Sequence, residues 1–258
     1  MSSTPALHSP RLAELPGIRH AFFTRRGGVS RGVYETLNVG RGSGDEPAAV
    51  EENRLRITTW FGVEPAALRT VYQTHSTVAH VADAVWTEPP EGDAVITATP
   101  GLVCGAMSAD CAPILIADAE ARVVASVHAG WRGAIGGVVA AAVAAMETLG
   151  ARPERMVAAV GPCIGPESYE VGLDFLDRFI AETPTNARFF RPGARDDKRL
   201  FDLPAYVLLR LADAGVNNAE WIGRDTCAEE SMFFSNRRAV LRGEPDYGRL
   251  LSAIMLTP

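Results

Sequence analysis

The chain has few of the features that would tie it to a membrane, a nucleic acid or an oxidising compartment. Its longest weakly polar run, Ala134 to Met146, is shorter than the ~20 residues a spanning helix needs and is too rich in alanine. The opening MSSTPALHSPRLAELPG has no apolar stretch of the kind a signal peptide requires. Basic residues are outnumbered, 25 against 31 acidic, and a net charge of −6 repels phosphate backbones. That excludes nucleic acid as the main partner. Cysteine occurs only singly, at Cys104, Cys111, Cys163 and Cys227, so no C-x-x-C pair marks a zinc ribbon or a redox motif. A G-x-G-x-x-G dinucleotide fingerprint, internal repeats, low-complexity segments and long linkers are missing as well. The expectation is a soluble cytoplasmic protein with free thiols, no nucleic-acid or membrane partner, and a monomeric or small homo-oligomeric state.

What is present is enough apolar material for a large core. Hydrophobic residues make up 47% of 258 and charged residues 22%. IRHAFFTR, DAVIT, PILIAD, RVVASVHA, RMVAAVG, AEWIG and RLLSAIML have strand composition, and so does LRTVYQTHSTVAHVAD. AAVEENRLRITTWFG reads as a helix closed by Gly62, and IGGVVAAAVAAMETLG as one closed by Gly150. Two further helices are expected around Asp174–Glu182 and Leu203–Ala214. RGGVSRGVYETLNVGRGSGDEP reads as a long glycine-rich loop. Strands outnumber crossover helices, so the fold class predicted is an α+β sandwich with mixed sheets. It occupies residues 17–258 as a single domain after an N-terminal extension, 1–16, with no readable signal.

Cys111, in SADCAPILIAD, stands at the mouth of a strand, where it could be an inert core thiol, a nucleophile or a metal ligand. If PILIAD and RVVASVH form a hairpin closed by Ala119 and Glu120, Asp118 faces Ala121. Counted back along the ladder, Cys111 then faces His128, with Cβ atoms about 4.5–5.5 Å apart. The other three cysteines read as small buried hydrophobes. His128 opens HAGWRGAIGG, a strand-to-helix turn that favours anions and carries Arg132. In YQTHSTVAHV, strand alternation puts Gln73, His75 and Thr77 on one face and Tyr72, Ser76 and His80 on the other. Position alone does not choose between His75 and His80.

The motifs HAFFTRRGGVSRGVYETLNVG, GDEPAAVEENR, QTHS, DAVIT, ADCAPILIAD, VHAGWRG, GPCIG…YEVG and FFSNRR follow one another in this order over nearly the whole chain. In these the sequence resembles the YfiH family, also labelled the polyphenol oxidase or laccase-domain family. The resemblance implies a single-domain α/β/β/α sandwich and a metal site, usually zinc, made by two histidines and a cysteine. Motif by motif these are His75 of QTHS, Cys111 of ADC and His128 of VHAGWRG. Three ligands leave zinc an open, catalytic position. After FFSNRR the segment AVLRGEPDYGR departs from the family pattern, so Arg237, Arg242 and Arg249 receive no counterpart.

The activity implied is phosphorolysis of adenosine, inosine and methylthioadenosine to base and ribose 1-phosphate, with deamination of adenosine. Purine nucleosides and phosphate are then the partners. Arg26, Arg54 and Arg132 are candidates for phosphate, each with an equal claim to be a surface salt-bridge residue. Asn38, Gln73 and Asp110 are candidates for sugar or base contacts, Asp110 also for orienting a ligand. A multicopper oxidase centre needs a histidine-rich cluster, and the chain has five histidines in all, at 8, 20, 75, 80 and 128. Phenol oxidation would need Cu2+ in place of Zn2+ at the same three ligands. Other readings are a Cys111–His128 amide hydrolase that edits peptidoglycan precursors and a non-enzymatic metal-binding module.

Overall fold

The structure, a computed structural model, describes residues 4–84, 86 and 88–258. The first three residues of the expected N-terminal extension therefore lie outside it. In chain order the strands are β1 (Ala6–Leu7), β2 (Ile18–Phe23), β3 (Leu68–Arg69), β4 (Ala79–Val81), β5 (Ala94–Thr97), β6 (Val103–Ser108) and β7 (Ala112–Asp118). They continue with β8 (Val123–Ala129), β9 (Val157–Val160), β10 (Glu170–Gly172), β11 (Phe190–Pro192), β12 (Lys198–Phe201), β13 (Asn218–Trp221) and β14 (Leu250–Leu256). The helices are α1 (Pro10–Ala13), α2 (Pro47–Phe61), α3 (Trp131–Gly136), α4 (Val138–Glu147), α5 (Leu173–Glu182), α6 (Leu203–Asp213) and α7 (Asn236–Arg242).

Two large sheets face each other, one in the order β1-β2-β14-β6-β3 and one in the order β13-β9-β7-β8-β5-β4. A small sheet, β10-β12-β11, accompanies them. Parallel pairs at the edges (β3 with β6, β4 with β5, β13 with β9) flank antiparallel ones, which makes both large sheets mixed. Between them lies an apolar layer containing Phe22, Cys104, Leu115, Val124, Ile254 and Leu256. The outer face of the five-stranded sheet packs Phe23, Val103 and Leu251 against Ile57 and Phe61 of α2. The outer face of the six-stranded sheet packs Ile114, Ile116 and Val127 against Val139, Val143 and Val207 of α4 and α6. The chain is thus the expected mixed single-domain sandwich with helices on both outer faces. Because β7 and β8 are covered on both faces, every residue in them is buried. Such strands read as continuous apolar runs, and each fully buried Leu or Ile there contributes about 1.5–3 kcal/mol.

Three local readings need correction. The β7–β8 connection is four residues, Ala119–Arg122, because the buried Asp118 carboxylate accepts the N–H groups of Glu120 and Ala121. Asp118 therefore pairs with Val123, and His128 pairs with Pro113 rather than Cys111. The expected helix over 135–149 is broken by Gly137 at φ 102°, which separates α3 from α4. The segment 68–83 is not one strand: Gln73–Val78 is irregular, with His75 at φ 59°, so face alternation does not apply there. The N-terminal residues also join the body of the protein. β1 pairs with β2, Leu12 is wholly buried, and the Ser9 N–H donates to Nε2 of the buried His20 at 2.9 Å.

Candidate metal centre

Neighbouring strands β7, β8 and β5 bring three groups to one end of the six-stranded sheet: Cys111 before β7, His128 near the end of β8, and Asp93 before β5. The observed register differs from the expected one by an even number of residues, so Cys111 still shares a face with His128. They are diagonal neighbours, and Gly130 lies where Cys111's direct partner would be. A Cβ on Gly130 would sit 2.6 Å from Cδ2 of His75 and 3.0 Å from Sγ of Cys111. Only glycine leaves room for the cluster.

His75 arrives from the irregular loop, and Asp93 puts it there. The Asp93 carboxylate, 0% exposed, accepts the N–H groups of Thr74 (3.3 Å), His75 (3.1 Å) and Ser76 (2.5 Å), and the Ser76 hydroxyl (2.7 Å). The same carboxylate stands 2.8 Å from Nδ1 of His128, whose N–H donates to the Asp93 carbonyl at 2.7 Å. One buried acid therefore bends the backbone of one histidine and orients the ring of the other, leaving Nε2 of His128 for the site. Nε2 of His75 is 3.7 Å from Sγ of Cys111, and the two imidazoles meet edge to face at 4.9 Å between centroids. One donor atom from each of His75, Cys111 and His128 lies within 4.8 Å of the others. Tetrahedral metal sites with these donors hold their ligand atoms roughly 3.3–3.7 Å apart, so the cluster can close on an ion with small side-chain movements.

The electrostatics favour the metal-binding thiolate form of Cys111, while His128 must release a proton to ligate. Burial pushes the Cys111 thiol up, but the charge of His128 and hydrogen bonds from both histidines bring it down to about 6. Burial lowers His128, yet the Cys111 thiolate and Asp93 raise it above its ordinary value. Asp93, despite burial, is held below the usual carboxylate range by His128 and Ser76. The metal-free cluster is thus a thiolate–imidazolium pair backed by a carboxylate.

Two clefts meet at this cluster. The larger, about 390 Å³, is lined by His75, Cys111 and His128 at one end and by Arg54, Thr70, Tyr72 and Tyr247 elsewhere. The smaller, about 210 Å³, shares His75 and Cys111 and is lined by Trp131, Arg132, Tyr169 and Arg237. A few hundred cubic ångströms is the range of small-ligand sites.

The remaining sequence candidates divide. Arg54 lines the larger cleft. It is 6% exposed, donates to the Val39 carbonyl and the Thr70 hydroxyl, and burial lowers its pKa to about 10. Gln73 lines that cleft too, but its amide is clamped in both directions to the Met107 backbone, at 2.7 and 2.8 Å. Asp110 lines the smaller cleft and accepts from Thr226, Ser235 and the Arg237 N–H. It ties the Cys111 turn to the C-terminal loops. Arg132 also lines the smaller cleft, its guanidinium 4.4 Å over the Trp131 ring. The structure does not bring Asn38 or Arg26 to the cluster. Asn38 is wholly buried and its amide serves Ser43, Asp45, Gly40 and Arg249; Arg26 is exposed and donates to the Ser231 carbonyl. His80 stands in β4 against the Glu91 carbonyl, and His8 stacks on Trp60. Sequence reading missed Asp93, Gly130 and Tyr169, and it named Arg237 without giving it a role. The one signal for Asp93 is an acid set at the start of the apolar run DAVIT.

Residues 19–257 match the family described as multi-copper polyphenol oxidoreductase laccase. A Deinococcus radiodurans protein named purine nucleoside phosphorylase is 41% identical over 236 residues, covering 91% of this chain and 87% of that one. The Escherichia coli protein named purine nucleoside phosphorylase YfiH is 35% identical over 248 residues, covering 96% of this chain and 97% of its own. Among solved structures, a Neisseria meningitidis DUF152 protein superposes with a TM-score of 0.88 at 35% identity over the whole of both chains. The Bacillus licheniformis protein YfiH superposes with 0.89 at 26% identity, over 99% of this chain and 98% of that one. The chain belongs to this laccase-like family, of the YfiH type.

Proposed function

We propose that the protein is a zinc-dependent purine nucleoside enzyme. It cleaves adenosine, inosine and methylthioadenosine with phosphate to free base and ribose 1-phosphate, and it deaminates adenosine. The observation that carries this reading is the Asp93-oriented His–Cys–His cluster at the end of a cleft of about 390 Å³. The names of the relatives support it.

The donor set suits zinc: one thiolate and two imidazoles, with a fourth position open. Zinc bound by His75, Cys111 and His128 supplies Lewis acidity toward water or a substrate oxygen. The chain's own groups do the rest. Asp93 holds Nδ1 of His128, so that Nε2, on losing its proton, would be the nitrogen that ligates. Gln73 fixes the loop that carries His75. Tyr72, 64% exposed on the cleft wall, offers its ring face to a purine. In phosphorolysis a phosphate oxygen bonds to C1′ of the ribose while the C1′–N9 bond breaks, its electron pair leaving on the purine. No protein nucleophile is needed. Among the described residues no helix is long and apolar enough to cross a membrane, and a cytoplasmic location suits the four free thiols.

The Cys111–His128–Asp93 alignment favours a second reading, a cysteine hydrolase acting on an amide of a peptidoglycan precursor. Copper at the same three donors is the third, phenol-oxidising one. The test is to incubate metal-assayed protein with adenosine and phosphate and to look for adenine, ribose 1-phosphate and inosine. Release of none of them from fully metal-loaded protein, with cleavage of a muramyl-peptide precursor, would replace this proposal with the amidase.

A further inference from the structure

We infer that the smaller cleft is the phosphate subsite, built by Arg132 and Arg237 beside the His75–Cys111 end of the larger cleft. The inference rests on the phosphorolytic reading and places its second substrate.

The two guanidinium groups are set up alike. Arg132 lies 4.4 Å over the Trp131 ring and Arg237 lies 5.2 Å over the Tyr169 ring. Both rings pack on Phe175, at 4.9 and 5.8 Å between centroids, so the two platforms belong to one rigid aromatic cluster. Among the described residues neither arginine has an acidic partner. Arg237 engages only the Glu170 carbonyl, and the Arg132 guanidinium donates no hydrogen bond. At the larger cleft Arg41 is paired with Glu51 and Arg249 with Asp246, and Arg54 is engaged by the Val39 carbonyl and the Thr70 hydroxyl. Asp110, the acid in the smaller cleft, already accepts from Thr226, Ser235 and the Arg237 N–H. Tyr169, Arg132 and Arg237 line the same cleft of about 210 Å³. Two planar cations that keep free N–H donors suit a tetrahedral oxyanion.

The layout also suits the reaction. Phosphate must reach C1′ from the face opposite the departing purine. Two separate clefts that share His75 and Cys111 would let the nucleoside enter one and phosphate the other.

The test uses full-length, zinc-loaded protein. With saturating inosine, Arg132→Gln and Arg237→Gln each raise KM for inorganic phosphate about tenfold or more, with KM for inosine and zinc content within twofold of the parent. Arg195→Gln, at an exposed pair with Asp197 and lining neither cleft, leaves all three unchanged. An unchanged phosphate KM in both variants, or a rise confined to Arg54→Gln, overturns the assignment. If the parent protein turns over no nucleoside, the phosphorolytic reading fails, and binding of inorganic phosphate by 31P NMR line broadening decides the subsite alone. Binding lost in Arg132→Gln and Arg237→Gln upholds an oxyanion site; no binding by the parent, or binding that survives in both variants, refutes it.

Discussion

Asp93→Asn is the sharpest test of how the metal cluster is assembled. The carboxylate gathers five donors: three backbone N–H groups, the Ser76 hydroxyl and the His128 ring. Asparagine keeps the volume but turns one acceptor oxygen into an N–H2 donor. If its oxygen faces the 74–76 loop, the N–H2 group meets Nδ1 of His128. The imidazole must then accept there, which moves its proton to Nε2 and blocks that nitrogen as a ligand. If the amide is turned the other way, at least two loop donors lose their partner. Hydrogen bonds to a charged acceptor contribute about 1.5–3 kcal/mol each, so losing two destabilises the protein by about 3 kcal/mol. Either orientation weakens zinc binding by roughly 10–100-fold, the usual effect of removing a group that orients a ligand. Chelator competition measures the affinity and denaturant unfolding of the metal-free protein measures the stability. Zinc affinity within twofold of the parent, at unchanged stability, would show that Asp93 does not organise the cluster.

Three further outcomes follow from the same geometry. Gly130 has φ −68° and ψ 166°, a conformation any residue adopts; Gly130→Ala therefore leaves the metal-free melting temperature near that of the parent but pushes His75 aside. Its zinc affinity falls about tenfold or more, and an unaltered affinity contradicts the close packing described above. Cys111→Ala abolishes stoichiometric zinc by elemental analysis, whereas Cys104→Ala, in the layer between the sheets, retains it; full retention by the first sinks the ligand assignment. Burial, with a smaller push from His8, lowers His20 from 6.5 to about 4. The unfolded chain therefore binds the proton first, and the stability is present above pH 6.5 and lost as pH falls toward 4. The loss reaches about 2 kcal/mol at pH 5; unfolding at pH 7 and pH 5 shows that slope in the parent and a flatter one in His20→Gln, and equal slopes refute it.

The sandwich is legible in the sequence where burial acts on contiguous residues. IRHAFFTR, DAVIT, PILIAD, RVVASVHA and RLLSAIML are largely apolar because both faces of β2, β5, β7, β8 and β14 are covered, and such runs announce themselves. What stays hidden is decided by side chains acting on backbone. Asp118 folds the β7–β8 loop over its own oxygens, and two residues of register hang on that. Gly137 breaks a helix that alanine and valine periodicity would carry straight through. The short strands β10, β11 and β12 hold together through an aromatic cluster of Phe175, Phe190 and Phe201, whose members are scattered along the chain.

The site divides along the same line. Cys111 and His128 can be paired from the sequence because a hairpin couples them, and an even slip in register preserves which face a residue occupies. His75 cannot be chosen over His80 by position, since the selection is made by Asp93, eighteen residues further on. That acid looks like the polar end of a strand and nothing more. Its carboxylate bends His75 into a left-handed turn and locks His128 in one orientation, so two imidazoles from distant segments depend on one buried charge. Arg237 is equally hidden, because what marks it is the Tyr169 ring beneath it and the absence of an acid beside it among the described residues. The three members of the cluster can be picked out from residue type and motif, whereas the groups that hold them in place appear only when the chain is folded.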